Sequence, residues 1–101
     1  MLRTHWVGRT KEQKLWDQWA WAQWMARNKF IFLKPIKVLY IITFNSNRTR
    51  DLDNYIGGTK FITDALKKTF FFRDDAAHLK AIEVQFVNGE KEGTTVIISE
   101  A

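Results

Sequence analysis

Eight residues, Lys37 to Phe44, restrict the fold of this chain more than any other segment. Val38, Tyr40, Ile42 and Phe44 alternate with Leu39 and Ile41, so a strand made of them is apolar on both faces. A strand of that kind belongs at the centre of a sheet rather than at its edge. Pro35 ends the loop that leads into it.

The other elements are read around this strand. Thr10 to about Asn28 has helical periodicity, with Thr10 as N-cap and Gln13 three residues on completing a capping box. Leu15, Trp16, Trp19, Ala20 and Ala26 form one apolar face of that helix, and Trp21 and Met25 lie nearly opposite. The second apolar face is open to three uses: a thick core or crossing loop, a subunit interface, or base stacking by Trp21. A second helix is expected from Asp53 or Asn54 to about Lys68, interrupted early by Gly57-Gly58. Leu79 to Val87 alternates, with Ile82, Val84 and Phe86 on one face and Glu83 and Gln85 on the other. Asn88 to Gly93 reads as a hairpin loop, and Thr94 to Ser99 as the returning strand.

A strand, a helix and a strand in that order favour a right-handed crossover with parallel pairing. The terminal hairpin adds an antiparallel pair. The expected fold is therefore α/β in the α+β sense. It is a small mixed sheet with two helices packed on it, ordered helix-strand-helix-strand-strand, in a single domain over residues 1–101.

The chain has no cysteine, which excludes a disulfide scaffold and thiolate metal sites, and only two histidines, which excludes a three-histidine zinc site. Met1 to His5 has no apolar run, and no stretch approaches the roughly 20 apolar residues of a membrane helix. A cytoplasmic location is the expectation, in a bacterial or phage-infected cell if the resemblance described below holds. The excess of 16 Lys+Arg over 11 Asp+Glu, a net charge of +5, is compatible with a polyanionic partner.

The acids are unevenly placed. Asp51 and Asp53 flank Leu52 where a strand gives way to a helix, and Asp74-Asp75 precede a later strand. Converging carboxylates repel one another, and a divalent cation removes that penalty. Oxygen-only ligands select Mg²⁺, Mn²⁺ or Ca²⁺. Arg48, Arg50, Lys60 and Arg73 surround these acids in the sequence. Acidic ligands within a basic rim suit phosphodiester hydrolysis, in which a metal activates water and the rim holds the polyanion. Each part also has a plainer reading: a helix cap, a turn, or a solvated lysine.

Taken together, Arg50-Asp51-Leu52-Asp53-Asn54, Lys60, Asp64-Ala65-Leu66 and Asp74-Asp75 resemble the RusA-like Holliday junction resolvases of phages and prophages. The resemblance runs from about Phe44 to Val87, with Lys60 four residues before Asp64 and Asp64 ten before Asp74. It implies a homodimeric, Mg²⁺-dependent endodeoxyribonuclease (Mn²⁺ being an alternative ion) that resolves branched DNA by paired cuts. It implies that Asp51, Asp53 and Asp75 bind metal and that Lys60 is catalytic. Asn54 and Asp74 would support them, and Arg48, Arg50 and Arg73 would bind DNA. Two departures stand out. Lys60 follows Asp53 by seven residues, three more than the compact family pattern, which reads as a loop at the helix start. The family's opening strand has no counterpart before the first helix. A non-catalytic DNA-binding relative and a Trp-rich protein-interaction domain are the alternatives.

Overall fold

The computed structural model describes residues 2–45, 52–71 and 77–101, with residues 2–10 described in backbone only. The elements in chain order are α1 (Leu2–Ala26), β1 (Ile36–Phe44), α2 (Leu52–Lys67), β2 (Leu79–Asn88) and β3 (Gly93–Glu100). The class and the element order agree with the expectation.

β1 is the central strand, in the order β2-β1-β3. Ile36, Val38, Tyr40, Ile42 and Phe44 are buried on one face of it. They meet Ile62, Leu66, Phe70 and Phe71, and Trp16, Trp19 and Trp24 of α1 pack against the same core. The helices therefore cover one face of the sheet. On the other face Leu39 and Ile41 are half-buried and Ile97 is exposed.

β1 and β2 run parallel through the α2 crossover, with Val38 opposite Ile82 and Tyr40 opposite Val84. β3 does not return along β2. It lies antiparallel to β1 on that strand's other edge, with Tyr40 opposite Val96 and Leu39 opposite Ile97. The expected hairpin is thus replaced by a connection that steps across the end of β1, where the Gly89 amide donates to the Phe44 carbonyl at 2.8 Å. The physical reason lies in β1 itself. The backbone N–H and C=O groups on both of its edges are paired within the sheet only when a strand lies on each side. Gly89 sits so close that a Cβ there would stand 2.8 Å from the Thr43 methyl.

Both helices differ from expectation at their starts. α1 begins at Leu2, so Thr10 lies inside it rather than at its N-cap position. Leu15 and Ala26, placed on the inward face by periodicity, are exposed, as are Trp21 and Met25. Apolar residues spread around most of α1, so its periodicity does not single out the face that packs. The helix stops where Asn28 and Lys29 both take φ of 56°, and the Lys29 amide donates back to the Trp24 carbonyl at 2.8 Å. That is a left-handed C-terminal turn of the kind glycine usually makes.

α2 runs without a break through Gly57 and Gly58, so the inserted residues lengthen the helix rather than form a loop. Neither glycine has a positive φ, and a Cβ on either would meet nothing within 4 Å. Their backbone freedom is then only an entropic cost. Gly57→Ala and Gly58→Ala should each stabilise the fold by about 0.5–1 kcal/mol. Thermal unfolding checks this, with about 4–8 °C expected per kcal/mol at this size.

The two helices are joined by Asp17, which accepts from Lys68 at 2.8 Å and from Gln13 at 2.9 Å. Partial burial pushes its carboxyl up, but the hydrogen bonds from Lys68 and Gln13 outweigh that and hold it low.

At the centre of the core the Tyr40 hydroxyl shares a 2.6 Å hydrogen bond with Thr63, whose own hydroxyl donates to the Thr59 carbonyl. Burial pushes the Tyr40 phenol from 10.0 up to about 12, against the Thr63 hydrogen bond and helped by the charge of Asp64. The folded state thus holds this proton more tightly than the unfolded chain does. The resulting stability is complete below pH 10.0 and is lost as pH rises through about 12. Denaturant unfolding of wild type and Tyr40→Phe at pH 9 and near pH 11.5 should show a much smaller alkaline loss in the variant.

Candidate functional site

The site is built from the junction between β1 and α2. In parallel α/β units, ligands gather beyond the carboxyl ends of the strands, where helix N-termini face outward. Phe44 ends β1, and Asp53 occupies the first turn of α2. Beneath this junction Phe44 makes an edge-to-face contact with Tyr55, centroids 5.0 Å apart, and stacks on Phe86 at 6.0 Å. This aromatic support fixes the start of α2 against the sheet. A carboxylate in the first turn is favoured by the helix dipole.

Asp53 and Asn54 are both exposed, as is Lys60. Seven helical residues fall about 20° short of two turns, so Asp53 and Lys60 share one outward line about 10 Å apart along the axis. Relative to the compact resolvase pattern that the motif resembles, the three extra residues amount to nearly one turn, so Lys60 lies further down the helix but close to the same line. Gly57 lies between them, and Asp64 continues the line below. The Lys60 ammonium stands 3.5 Å from the Asp64 carboxylate. Lysine preceding the acid by four is the weaker orientation of such a pair, and an exposed pair contributes little. The ammonium is free to turn towards the helix N-terminus, the direction helical side chains lean.

Asn54 faces differently. It lines a cleft of about 280 Å³ between α1 and α2, with Tyr55, Gly58, Glu12 and Trp16. Neither Glu12 nor Tyr55 is among the site residues expected from the sequence. Only the α1–α2 packing brings Glu12 there, and nothing local signals it.

Asp51, Asp74 and Asp75, together with Arg48, Arg50 and Arg73, lie outside the described residues. Among the described residues no group of three or more potential metal-ligating side chains gathers. The described flanks of the second acidic pair are anchored far from Asp53. Phe71 bridges to Phe32, and Leu79 pairs with Ile36 at the start of β1. Asp53 stands at the opposite end of α2, a helix of 16 residues and so about 24 Å long.

No family model matches the chain, and no curated protein or solved structure shows significant similarity to it. The likeness to RusA-like resolvases therefore rests on the motif residues alone. Among the described residues, no helix is long and apolar enough to cross a membrane.

Proposed function

We propose that this chain is a divalent-metal-dependent endodeoxyribonuclease that cuts branched DNA, four-way junctions in particular, as a homodimer. The observation that carries this reading is the β1–α2 junction. It holds Asp53 exposed in the first turn of the crossover helix, with Lys60 on the same outward line despite the insertion between them.

The donor chemistry fits a hard cation. Asp53 is an exposed carboxylate with no ion-pair partner among the described residues, and oxygen donors of this kind take Mg²⁺ or Mn²⁺. Asp53, with its neighbour Asp51, would hold the ion at this end of α2; the resemblance adds Asp75 and Asp74, whose described flanks are anchored at the helix's other end, and Asn54 lines the neighbouring cleft. When bound, it supplies positive charge at the phosphate and activates water. The chain's own contribution is then positional and electrostatic. Lys60 meets the charge that develops on the phosphate, and Arg48, Arg50 and Arg73 hold flanking phosphates. Two copies related by a two-fold axis match the approximate two-fold symmetry of a four-way junction.

One observation favours a second reading, a DNA-binding domain without catalysis. The flanks of the second acidic pair are anchored at the far end of α2 from Asp53. A single copy must bridge that separation to complete the metal set.

Incubation of a labelled four-way junction and a matched duplex with Mg²⁺, Mn²⁺ or EDTA separates these readings. Nicking of the junction that needs Mg²⁺ or Mn²⁺ is the expected result. Salt-sensitive junction binding with no nicking in any ion would leave only the non-catalytic reading. Neither binding nor nicking at low salt would remove both, in favour of a protein-interaction domain.

A further inference from the structure

Among the described residues β3 is an edge strand that carries a single charge, Glu100 at its end, and has no covering element. Exposed edges are usually blunted by lysine, proline, a bulge or a covering element, because their free amides and carbonyls invite another strand. From Gly93 to Ser99, β3 has no charged residue and no proline, and its register against β1 is unbroken. β2, at the other edge, carries Lys80 and Glu83.

A second observation lies beside this edge. On the helix-covered side of β3, an open groove of about 460 Å³ is lined by Val96, Ile98, Trp19, Phe30, Phe32 and Phe70. Phe30 is 54% exposed at its rim. A free edge next to an apolar groove is the arrangement that binds an added strand. The backbone supplies the hydrogen bonds, and alternate side chains fill the groove.

We propose that the added strand is β3 of a second copy, paired antiparallel about a two-fold axis at Ile97. In that register Ile97 stands opposite its own counterpart, Val96 opposite the partner's Ile98, and Thr95 opposite the partner's Ser99. β-branched residues thus meet β-branched residues, and Thr meets Ser, which are favourable cross-strand pairs. No like charges face each other: Glu100 falls opposite the partner's Thr94. The rows also continue those of the monomer. Tyr40 is opposite Val96, and Val38 is opposite Ile98. The helix-side row therefore runs from Tyr40 and Val96 of one copy into Ile98 and Val38 of the other. On the open face, Leu39 and Ile97 continue into their counterparts. Shifting the register by two residues the other way would put Val96 on the axis but set Glu92 against the partner's Glu100, and like charges directly opposite are destabilising. The result is one six-stranded sheet with both helix layers on the same face.

This interface rests on the fold alone and holds whether or not the chain cuts DNA. The chain has no cysteine, so a single introduced one reports on its position without background. Ile97 and Ile82 are 42% and 50% exposed, so substitution at either leaves the core intact. Ile97→Cys treated with a short bis-maleimide should run as a covalent dimer on a denaturing gel, and Ile82→Cys on β2 should not. In sedimentation velocity at about 50 μM, wild type and Ile82→Lys should be dimeric. Ile97→Lys should be monomeric with an unchanged far-UV circular dichroism spectrum, because it places two ammonium groups on the axis. A monomeric wild type, a dimeric Ile97→Lys, or cross-linking through residue 82 instead of 97 would overturn the proposal.

Discussion

Asp53→Asn should abolish metal-dependent nicking of a four-way junction while the protein still binds the junction. The substitution keeps the size of the side chain but removes the negative charge that draws a divalent cation. The rate should fall at least ~100-fold, the scale for losing one charge-stabilising group in an active site. Binding should persist or tighten, because a negative charge facing a polyanion is gone. The fold should lose little. A first-turn carboxylate contributes about 0.3–1 kcal/mol through the helix dipole, and Asp53 is exposed. Single-turnover cleavage, gel-shift affinity in EDTA and thermal unfolding of one preparation separate these effects. Full activity in this variant would sink the nuclease reading as built on Asp53. Loss of binding together with cleavage would assign Asp53 a structural role.

Leu66→Ala should be the most damaging single truncation of the helix layer. Leu66 is 1% exposed and joins α2 to Ile36, Val38, Tyr40, Phe70 and Phe71. It also forms part of the wall of the groove beside β3, so its removal would open the core towards that groove. Buried leucine truncations cost about 2–5 kcal/mol, and the cost rises with the cavity that remains. A domain of this size has only about 5–15 kcal/mol in total. The melting temperature should therefore fall by at least about 10 °C. Leu15→Ala is the matched control. Leu15 is 66% exposed on α1, and its truncation should stay within about 0.5 kcal/mol. Equal losses at the two positions would mean that α1 packs through a different face.

The contrast between these leucines shows where sequence reading reaches and where it stops. The inward stripe of α2, through Ile62, Ala65 and Leu66, was legible because polar residues flank it. α1 is not legible in the same way. Its five tryptophans, from Trp6 to Trp24, are spread around the helix. Periodicity therefore offers more than one face, and packing on α2 and the sheet selects Trp16, Trp19 and Trp24. At the candidate site, Asp53, Asn54 and Lys60 could be assigned to a helix start from spacing. That the Gly57-Gly58 insertion extends the helix, and so returns Lys60 to the line of Asp53, could not. Two glycines are a weak local signal for a break, and the burial of Thr59, Ile62 and Thr63, with Thr63 bonded to Tyr40 of the sheet, overrides it.

By itself the sequence determined the α+β class, the central place of β1 and the parallel crossover to β2. Each of these follows from local alternation and from the handed connection between neighbouring elements. Only the tertiary structure decided which edge β3 would join. A short polar connection suits a hairpin on β2 as well as a step across the end of β1. The choice falls to β1 because a strand apolar on both faces gains more from a second neighbour than the half-polar β2 does. That non-local choice leaves β3, charged only at Glu100, as the edge beside the aromatic groove.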